Sequence, residues 1–123
     1  ETVDEENNDS IVILMKYGDK KALFMGDLEV EGEEKLLSSG VQLKADILKL
    51  GHHGSITSTS ENFVKAVNPE IALISVGNRF KSIPGKDVLN RLKSIYAKVY
   101  RTDKNGEINV IVKDNEIRVK TTY

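Results

Sequence analysis

Short apolar runs constrain the fold of this chain more than any other feature. Ile11–Met15 is a run of five consecutive apolar residues, and Ile71–Val76 is apolar apart from Ser75. Runs of this length are typical of strands that are covered on both faces. We therefore predict a layered domain in which these two strands have other elements packed against each side.

The segments between these runs predict an alternation of strands and helices. The order is roughly ββαβαβαβββ, with a flexible, acidic lead-in at residues 1–9 and one domain at residues 10–123. This order is typical of an α/β domain with α+β layers. It predicts a mixed sheet, helices on the outside and a C-terminal antiparallel meander. The other predicted strands are Ala22–Met25, Ile47–Leu50, Lys98–Arg101, Glu107–Val112 and Glu116–Tyr123, and the predicted helices are Glu29–Ser39, Phe63–Val67 and Val88–Tyr96.

The composition excludes several classes of protein and of metal site. The 123 residues carry 18 basic and 19 acidic side chains, so a fold built chiefly to neutralise nucleic-acid backbones is excluded. There is no cysteine, so any transition-metal ligands must be carboxylates or the two histidines. The absence of cysteine also fits an extracytoplasmic location. No apolar run approaches the roughly 20 residues needed to span a bilayer.

Two short segments carry the residues best suited to chemistry. Gly26–Glu29 contains Asp27, Gly51–Ser55 contains His52 and His53, and each segment directly follows a predicted strand. Loops at such strand ends converge in sheets with crossover helices, so we expect a carboxylate and an imidazole to share one crevice. In an extended segment the two imidazoles face opposite ways. One would then bind an ion while the other moves a proton or supports the first.

Each segment also has a purely structural interpretation. Asp27 suits the cap of the helix that follows it, and the two histidines suit a polar loop. Glu29 could add an oxygen donor, but its position is typical of a helix surface. Zinc normally takes at least three protein ligands, and a two-metal centre takes more. The residue pattern alone therefore supports at most half of a site for a divalent metal.

A basic loop beside these segments offers a candidate phosphate contact. Arg79 and Lys81, together with Ser55 and the helix start near Ser58, supply cationic and hydroxyl groups. The alternative is a solvated loop next to an ordinary helix start, since Ser58 and Glu61 have the spacing of a capping box.

Several of these segments occur together, and in the same order, in a known family. The chain resembles the metallo-β-lactamase-fold hydrolase superfamily in Asn8–Tyr17, Leu23–Glu29 and Ala45–Ser55. Within that superfamily, the chain most resembles the C-terminal hydrolase domain of the ComEC-type competence proteins and their secreted relatives. The segments that carry this closer resemblance are Ile74–Asn78 and Val99–Asp103. The resemblance extends from about residue 7 to the end of the sequence.

This resemblance implies an αββα sandwich with two divalent metal ions, zinc or manganese, that hydrolyses ester or phosphodiester bonds. It implies that Asp27 bridges the two metals and that one histidine of the pair binds a metal. We assign this role to His53 and place His52 beside the substrate or in proton transfer, and the reverse order stays open. The expected substrate contacts are Ser55, Asn78 and Arg79.

The chain also departs from the family pattern. It has no His-x-His-x-Asp-His cluster, and Ile83 stands where many relatives carry a histidine before proline. It therefore resembles only the second half of the fold, and the expected partner is the missing N-terminal half. Without that half we expect no catalysis. We also expect exposed apolar surface at Ile11–Met15 and Ile71–Val76, through which copies of the chain could form homo-oligomers.

Two functions from different classes stay open on the sequence alone. The first is a piece of a dinuclear hydrolase that cleaves DNA or another phosphoester during bacterial DNA uptake, outside the cytoplasm and either membrane-associated or secreted. The alternative is a degenerate module that binds nucleic acid or a protein partner without catalysis, which the residue at Ile83 and the missing half favour. The metal content of a longer protein separates the two.

Overall fold

A five-stranded mixed sheet organises residues 6–123, which are the residues that the structure, a computed structural model, describes. The strands are β1 (Ile13–Tyr17), β2 (Lys20–Phe24), β3 (Ile47–Lys49), β4 (Ile71–Ile74), β5 (Lys98–Arg101), β6 (Ile108–Lys113) and β7 (Glu116–Thr121). The helices are α1 (Val30–Ser38), α2 (Glu61–Val67), α3 (Lys86–Ser94) and α4 (Thr102–Asn105), with 3₁₀ helices at Glu6–Asp9 and Gly51–Gly54. The mixed α/β architecture predicted from the sequence is confirmed.

The first five strands lie side by side in chain order. β1 pairs antiparallel with β2, whereas β2, β3, β4 and β5 pair parallel with their neighbours. Each parallel connection contains one α-helix, α1, α2 or α3. Parallel neighbours bring the carboxyl ends of their strands to one edge of the sheet, and this arrangement positions the site described below.

The larger core lies between one face of the sheet and the three crossover helices. Leu23, Leu48 and Ala72 are register partners on β2, β3 and β4, so they share this face. All three are buried in the same cluster as residues of the helices. Its buried helical members are Phe63, Val64 and Val67 of α2 and Val88 and Leu92 of α3, and the partly buried Leu36 and Leu37 of α1 pack against it.

The second face of the sheet carries the C-terminal hairpin of β6 and β7. Ala22, Ile47 and Ile71 are register partners on this face, and they pack against Val110, Val112, Ile117 and Val119. Burial alternates along β6 and β7, and these four residues lie on the inward side. The layers are therefore helices, five-stranded sheet and hairpin, which is consistent with one half of an αββα sandwich.

The two apolar runs differ in their environment. β4 is buried, with Ile71 and Ile74 only 3% and 1% exposed, because helices cover one face and the hairpin covers the other. The prediction that Ile11–Met15 is covered on both faces is wrong: β1 is an edge strand, and all five of its residues are exposed. Apolar surface is therefore exposed near Ile11–Met15, as expected, and the same expectation for Ile71–Val76 is wrong.

The expected lead-in lies partly outside the described residues, since these begin at residue 6. Glu6–Asp9 form a 3₁₀ helix, and the Asn8 side chain is anchored at the start of α1. Its Oδ1 accepts hydrogen bonds from the backbone N–H groups of Glu29 and Gly32 at 3.2 and 3.1 Å.

The helix caps also differ from the sequence prediction. Ser60, not Ser58, is the N-cap of α2 and accepts a hydrogen bond from the Phe63 N–H at 3.2 Å. The predicted capping box is wrong because the Ser58 hydroxyl is buried and donates to the Gly51 carbonyl at 2.9 Å. A short helix, α4, directly follows β5. Within residues 6–123, no helix has the length and apolar character needed to cross a membrane.

Candidate metal centre

The loop after β2 and the loop after β3 are bonded directly to each other. The His52 N–H donates to the Gly26 carbonyl oxygen at 3.0 Å. Gly51 packs so closely on the first loop that a Cβ at this position would lie 2.6 Å from the Leu28 carbonyl oxygen. Only glycine fits such an approach. The two segments with candidate chemistry therefore meet at one edge of the sheet, as the sequence predicted.

Both histidines have a left-handed backbone conformation. The φ angles of His52 and His53 are 48° and 55°, so the expected extended conformation of this segment is wrong. Non-glycine residues adopt this region rarely. The turn places the two ring centroids 6.5 Å apart, and both rings line one cavity.

His53 lies next to the candidate carboxylate. Its Nε2 is 3.9 Å from Asp27 Oδ1, and each side chain is about half exposed. Its Nδ1 is 2.6 Å from the Ser75 carbonyl oxygen. Because a carbonyl oxygen can only accept, Nδ1 carries a proton, and in the neutral imidazole Nε2 then keeps the lone pair that a metal requires. The structure thus brings Asp27 and His53 together with the imidazole in the tautomer of a ligand.

His52 has a different carboxylate partner. Its Nδ1 is 3.0 Å from Oε1 of Glu29, whose side chain is fully buried. The Thr57 hydroxyl donates to the same Glu29 oxygen at 2.8 Å. The sequence pattern placed Glu29 on a helix surface. No pattern in the sequence indicated its burial, because its partners Thr57 and His52 are distant in sequence.

A cavity of about 690 Å³ opens beside the two histidines. Ser75, Arg79 and Phe80 contribute to its wall, and the Arg79 guanidinium carbon lies 5.6 Å from the centre of the Phe80 ring. Arg79 therefore lies in the wall of the cavity that the histidines line, with the exposed Phe80 ring beside it.

The other two expected substrate contacts do not form part of this wall. Ser55 is fully buried, and its hydroxyl is 3.1 Å from the Thr57 hydroxyl. The Asn78 side chain is exposed on the loop that follows β4. The structure brings together Asp27, His52, His53 and Arg79, but not these two residues.

Lys49 adds a positive charge that the sequence pattern did not indicate. Burial lowers the pKa of its ammonium group, and attraction to the Asp27 carboxylate partly opposes this shift. Its Nζ donates to the Leu50 carbonyl oxygen at 3.3 Å. The last residue of β3 thus contributes to the electrostatic environment of Asp27.

Glu33 anchors the loop between the histidines and α2. Its two carboxylate oxygens accept hydrogen bonds from the backbone N–H groups of Thr59 and Ser60. Burial raises the pKa of Glu33, and the two backbone hydrogen bonds and the nearby Arg91 lower it in part. The loop that carries Thr57 is therefore held against α1 by a second buried carboxylate.

The donor set fits part of a metal centre. A carboxylate oxygen and an imidazole nitrogen are the donor types that zinc and manganese accept. Among residues 6–123, however, no group of three or more histidine, cysteine or acidic side chains could hold a metal ion. Asp27 and His53 can supply two ligands, and the remaining ligands of a complete centre would have to come from elsewhere.

Comparison with known families identifies the superfamily of this chain. The family model for the "Metallo-beta-lactamase superfamily" matches residues 3–78, which include β1 to β4 and both loops of the site. The chain belongs to this superfamily. The resemblance seen in the sequence is confirmed, and the half-sandwich described above is consistent with a fragment of the metallo-β-lactamase fold.

Three relatives narrow the comparison. The chain is 43% identical over 105 residues to ComE operon protein 3 of Bacillus subtilis, 40% identical over 107 residues to competence protein ComA of Neisseria gonorrhoeae and 37% identical over 107 residues to recombination protein 2 of Haemophilus influenzae. These matches cover 84% to 85% of the chain. They cover only 13% to 15% of the relatives, so the chain corresponds to a small part of each.

The close approach at Gly51 makes a prediction about stability. Gly51→Ala places a Cβ against the Leu28 carbonyl, and we expect it to lower the free energy of unfolding by about 1–3 kcal/mol, a typical cost of overpacking. Gly77→Ala is the matched control, because a Cβ there meets no atom within 4 Å. Urea unfolding of the two variants tests this, and equal midpoints would contradict the described loop contact.

The raised pKa of Glu33 makes a prediction about pH. The folded state holds the Glu33 proton more tightly than the unfolded chain, so the contribution of this group to stability falls as the pH rises above its ordinary value of 4.5. Glu33→Gln removes this titration. We therefore expect the free energy of unfolding of the variant, relative to that of the wild type, to increase as the pH rises from about 4 to about 7, as measured by urea unfolding. A shift toward the wild type would mean that the pKa is lowered.

Proposed function

We propose that this chain is part of a metal-dependent hydrolase that cleaves phosphodiester bonds of DNA, outside the cytoplasm, during bacterial DNA uptake. The observation that carries the proposal is the pairing of Asp27 with His53, whose Nδ1 is held by the Ser75 carbonyl so that Nε2 is available. The competence proteins among the relatives support the choice of DNA as substrate.

In this proposal Asp27 and His53 hold the metal, and the other ligands come from a part of the domain outside this chain. Divalent zinc or manganese, two ions in the complete domain, would lower the pKa of a bound water and neutralise charge on the phosphate. Asp27 suits a bridging position because a carboxylate has two oxygens and offsets the repulsion between two cations.

Two further side chains have roles at the cavity. His52 lines the cavity and keeps one ring nitrogen outside its contact with Glu29, so it suits proton transfer at the substrate. Arg79 offers a guanidinium group that can bind a phosphate oxygen. Neither role requires a residue from another part of the domain.

The edge strand β1 supports a proposal about the partner. Ile13 and Met15 are register partners of Phe24 and Ala22, so they lie on the hairpin face of the sheet. They are 54% and 53% exposed. We propose that the preceding half of the domain covers this face and completes both the second sheet and the metal centre.

The metal assignment is tested on a longer protein that includes the preceding half of the domain. We expect about two metal ions per chain. Asp27→Asn should lower metal affinity by at least about tenfold and abolish hydrolysis of a phosphodiester such as bis(p-nitrophenyl) phosphate. Asp114→Asn, in the exposed hairpin turn, is the matched control and should change neither. Wild-type protein that binds no metal would support a non-catalytic binding module instead.

The partner assignment predicts association of the isolated chain. With β1 uncovered, we expect reversible self-association that increases with concentration, measured by light scattering. Met15→Lys should shift the chain toward the monomer, whereas Ile111→Lys, on the outer face of the hairpin, should not. A wild-type monomer at high concentration, or an equal effect of the two variants, would contradict a role for the β1 face.

A further inference from the structure

Glu29 occupies an unusual position for a carboxylate, directly before α1 and completely buried. A buried charge is costly unless hydrogen bonds compensate for it. Oε1 of Glu29 accepts from the Thr57 hydroxyl at 2.8 Å and lies 3.0 Å from His52 Nδ1. The carboxylate therefore lies between the loop after β3 and the start of α1, within the protein.

The backbone holds both partners of this contact in place. The Val30 N–H donates to the Thr57 carbonyl oxygen at 2.8 Å, which ties the residue after Glu29 to the loop. The His52 N–H donates to the Gly26 carbonyl oxygen at 3.0 Å. With both backbones fixed, the carboxylate and the imidazole have little freedom to separate.

This geometry constrains the tautomer of His52. An ionised carboxylate only accepts hydrogen bonds, so a neutral His52 must carry its proton on Nδ1 and keep a lone pair on Nε2. His53 reaches the same tautomer through a different acceptor, the Ser75 carbonyl oxygen. In their neutral forms the two imidazoles would thus leave Nε2 unprotonated through two independent contacts.

We propose that Glu29 is a positioning residue for His52: it holds the ring in the Nδ1–H tautomer so that Nε2 can accept a proton at the cavity. The inference deepens the proposed function, because it specifies how His52 is prepared for proton transfer. A carboxylate that merely anchored the Thr57 loop would leave the His52 tautomer unaffected.

The tautomer is measured by long-range ¹H–¹⁵N correlation spectra of the labelled chain, at a pH where both imidazoles are neutral. In the wild type we expect the Nδ1–H form of His52 to exceed the Nε2–H form at least about tenfold, the preference that a charge-assisted hydrogen bond supports. A predominant Nε2–H form of His52 in the wild type would overturn the proposal, whatever the behaviour of any variant.

Two variants distinguish the effect of Glu29 on the His52 tautomer from that of Thr57. Glu29→Ala should return His52 toward the Nε2–H form that free imidazole favours, while His53 keeps its Nδ1–H form as an internal reference. Thr57→Val removes a hydroxyl that is 3.4 Å from His52 Nδ1 and should preserve the Nδ1–H form. An unchanged His52 in folded Glu29→Ala, or loss of the preference in Thr57→Val, would overturn the proposal.

The matched control is Glu31→Gln, which changes charge on the exposed side of α1 and should leave both tautomers unchanged. This experiment requires neither metal nor substrate. An unexpected tautomer of His52 would not affect the assignment of Asp27 and His53 as metal ligands. Conversely, if a longer protein bound no metal and hydrolysed no phosphodiester, the tautomer of His52 would still be as measured. The two proposals can therefore fail separately.

Discussion

The contact between the loops after β2 and β3 is the constraint on which the candidate site depends. Strand pairing alone brings the ends of β2 and β3 to the same edge, but it does not set the positions of the side chains beyond them. The hydrogen bond from His52 to Gly26 and the packing of Gly51 on Leu28 do so. They force a tight left-handed turn at both histidines, and this turn presents two rings to one cavity.

Buried carboxylates stabilise this turn from the helix side. Glu29 and Glu33 lie one helical turn apart, and both bind groups of the loop that leads into α2. Placing two carboxylates away from water has a desolvation cost, which the raised pKa of Glu33 reflects. Such a cost is easier to understand where precise positions matter, as they would for the proton transfer that we propose for His52.

Local sequence patterns predicted most of the strands and helices. The position of two candidate segments at neighbouring strand ends predicted that Asp27 lies close to the histidines. β4 and the alternating hairpin agree with the sequence because their burial depends on elements inside the chain. The exposure of β1 could not be predicted from its composition, because an apolar run does not show which elements of the chain lie beside the strand. The left-handed histidines and the partner of Glu29 were also missed, since they arise from contacts between residues distant in sequence.

The central claim is that Asp27 and His53 bind the same metal ion. Anomalous diffraction from crystals of the longer domain grown with zinc measures this directly. We expect an anomalous peak within about 2.0–2.2 Å of both His53 Nε2 and an Asp27 carboxylate oxygen. A zinc peak bound through His52 with His53 unligated, or zinc bound without Asp27, would contradict the account.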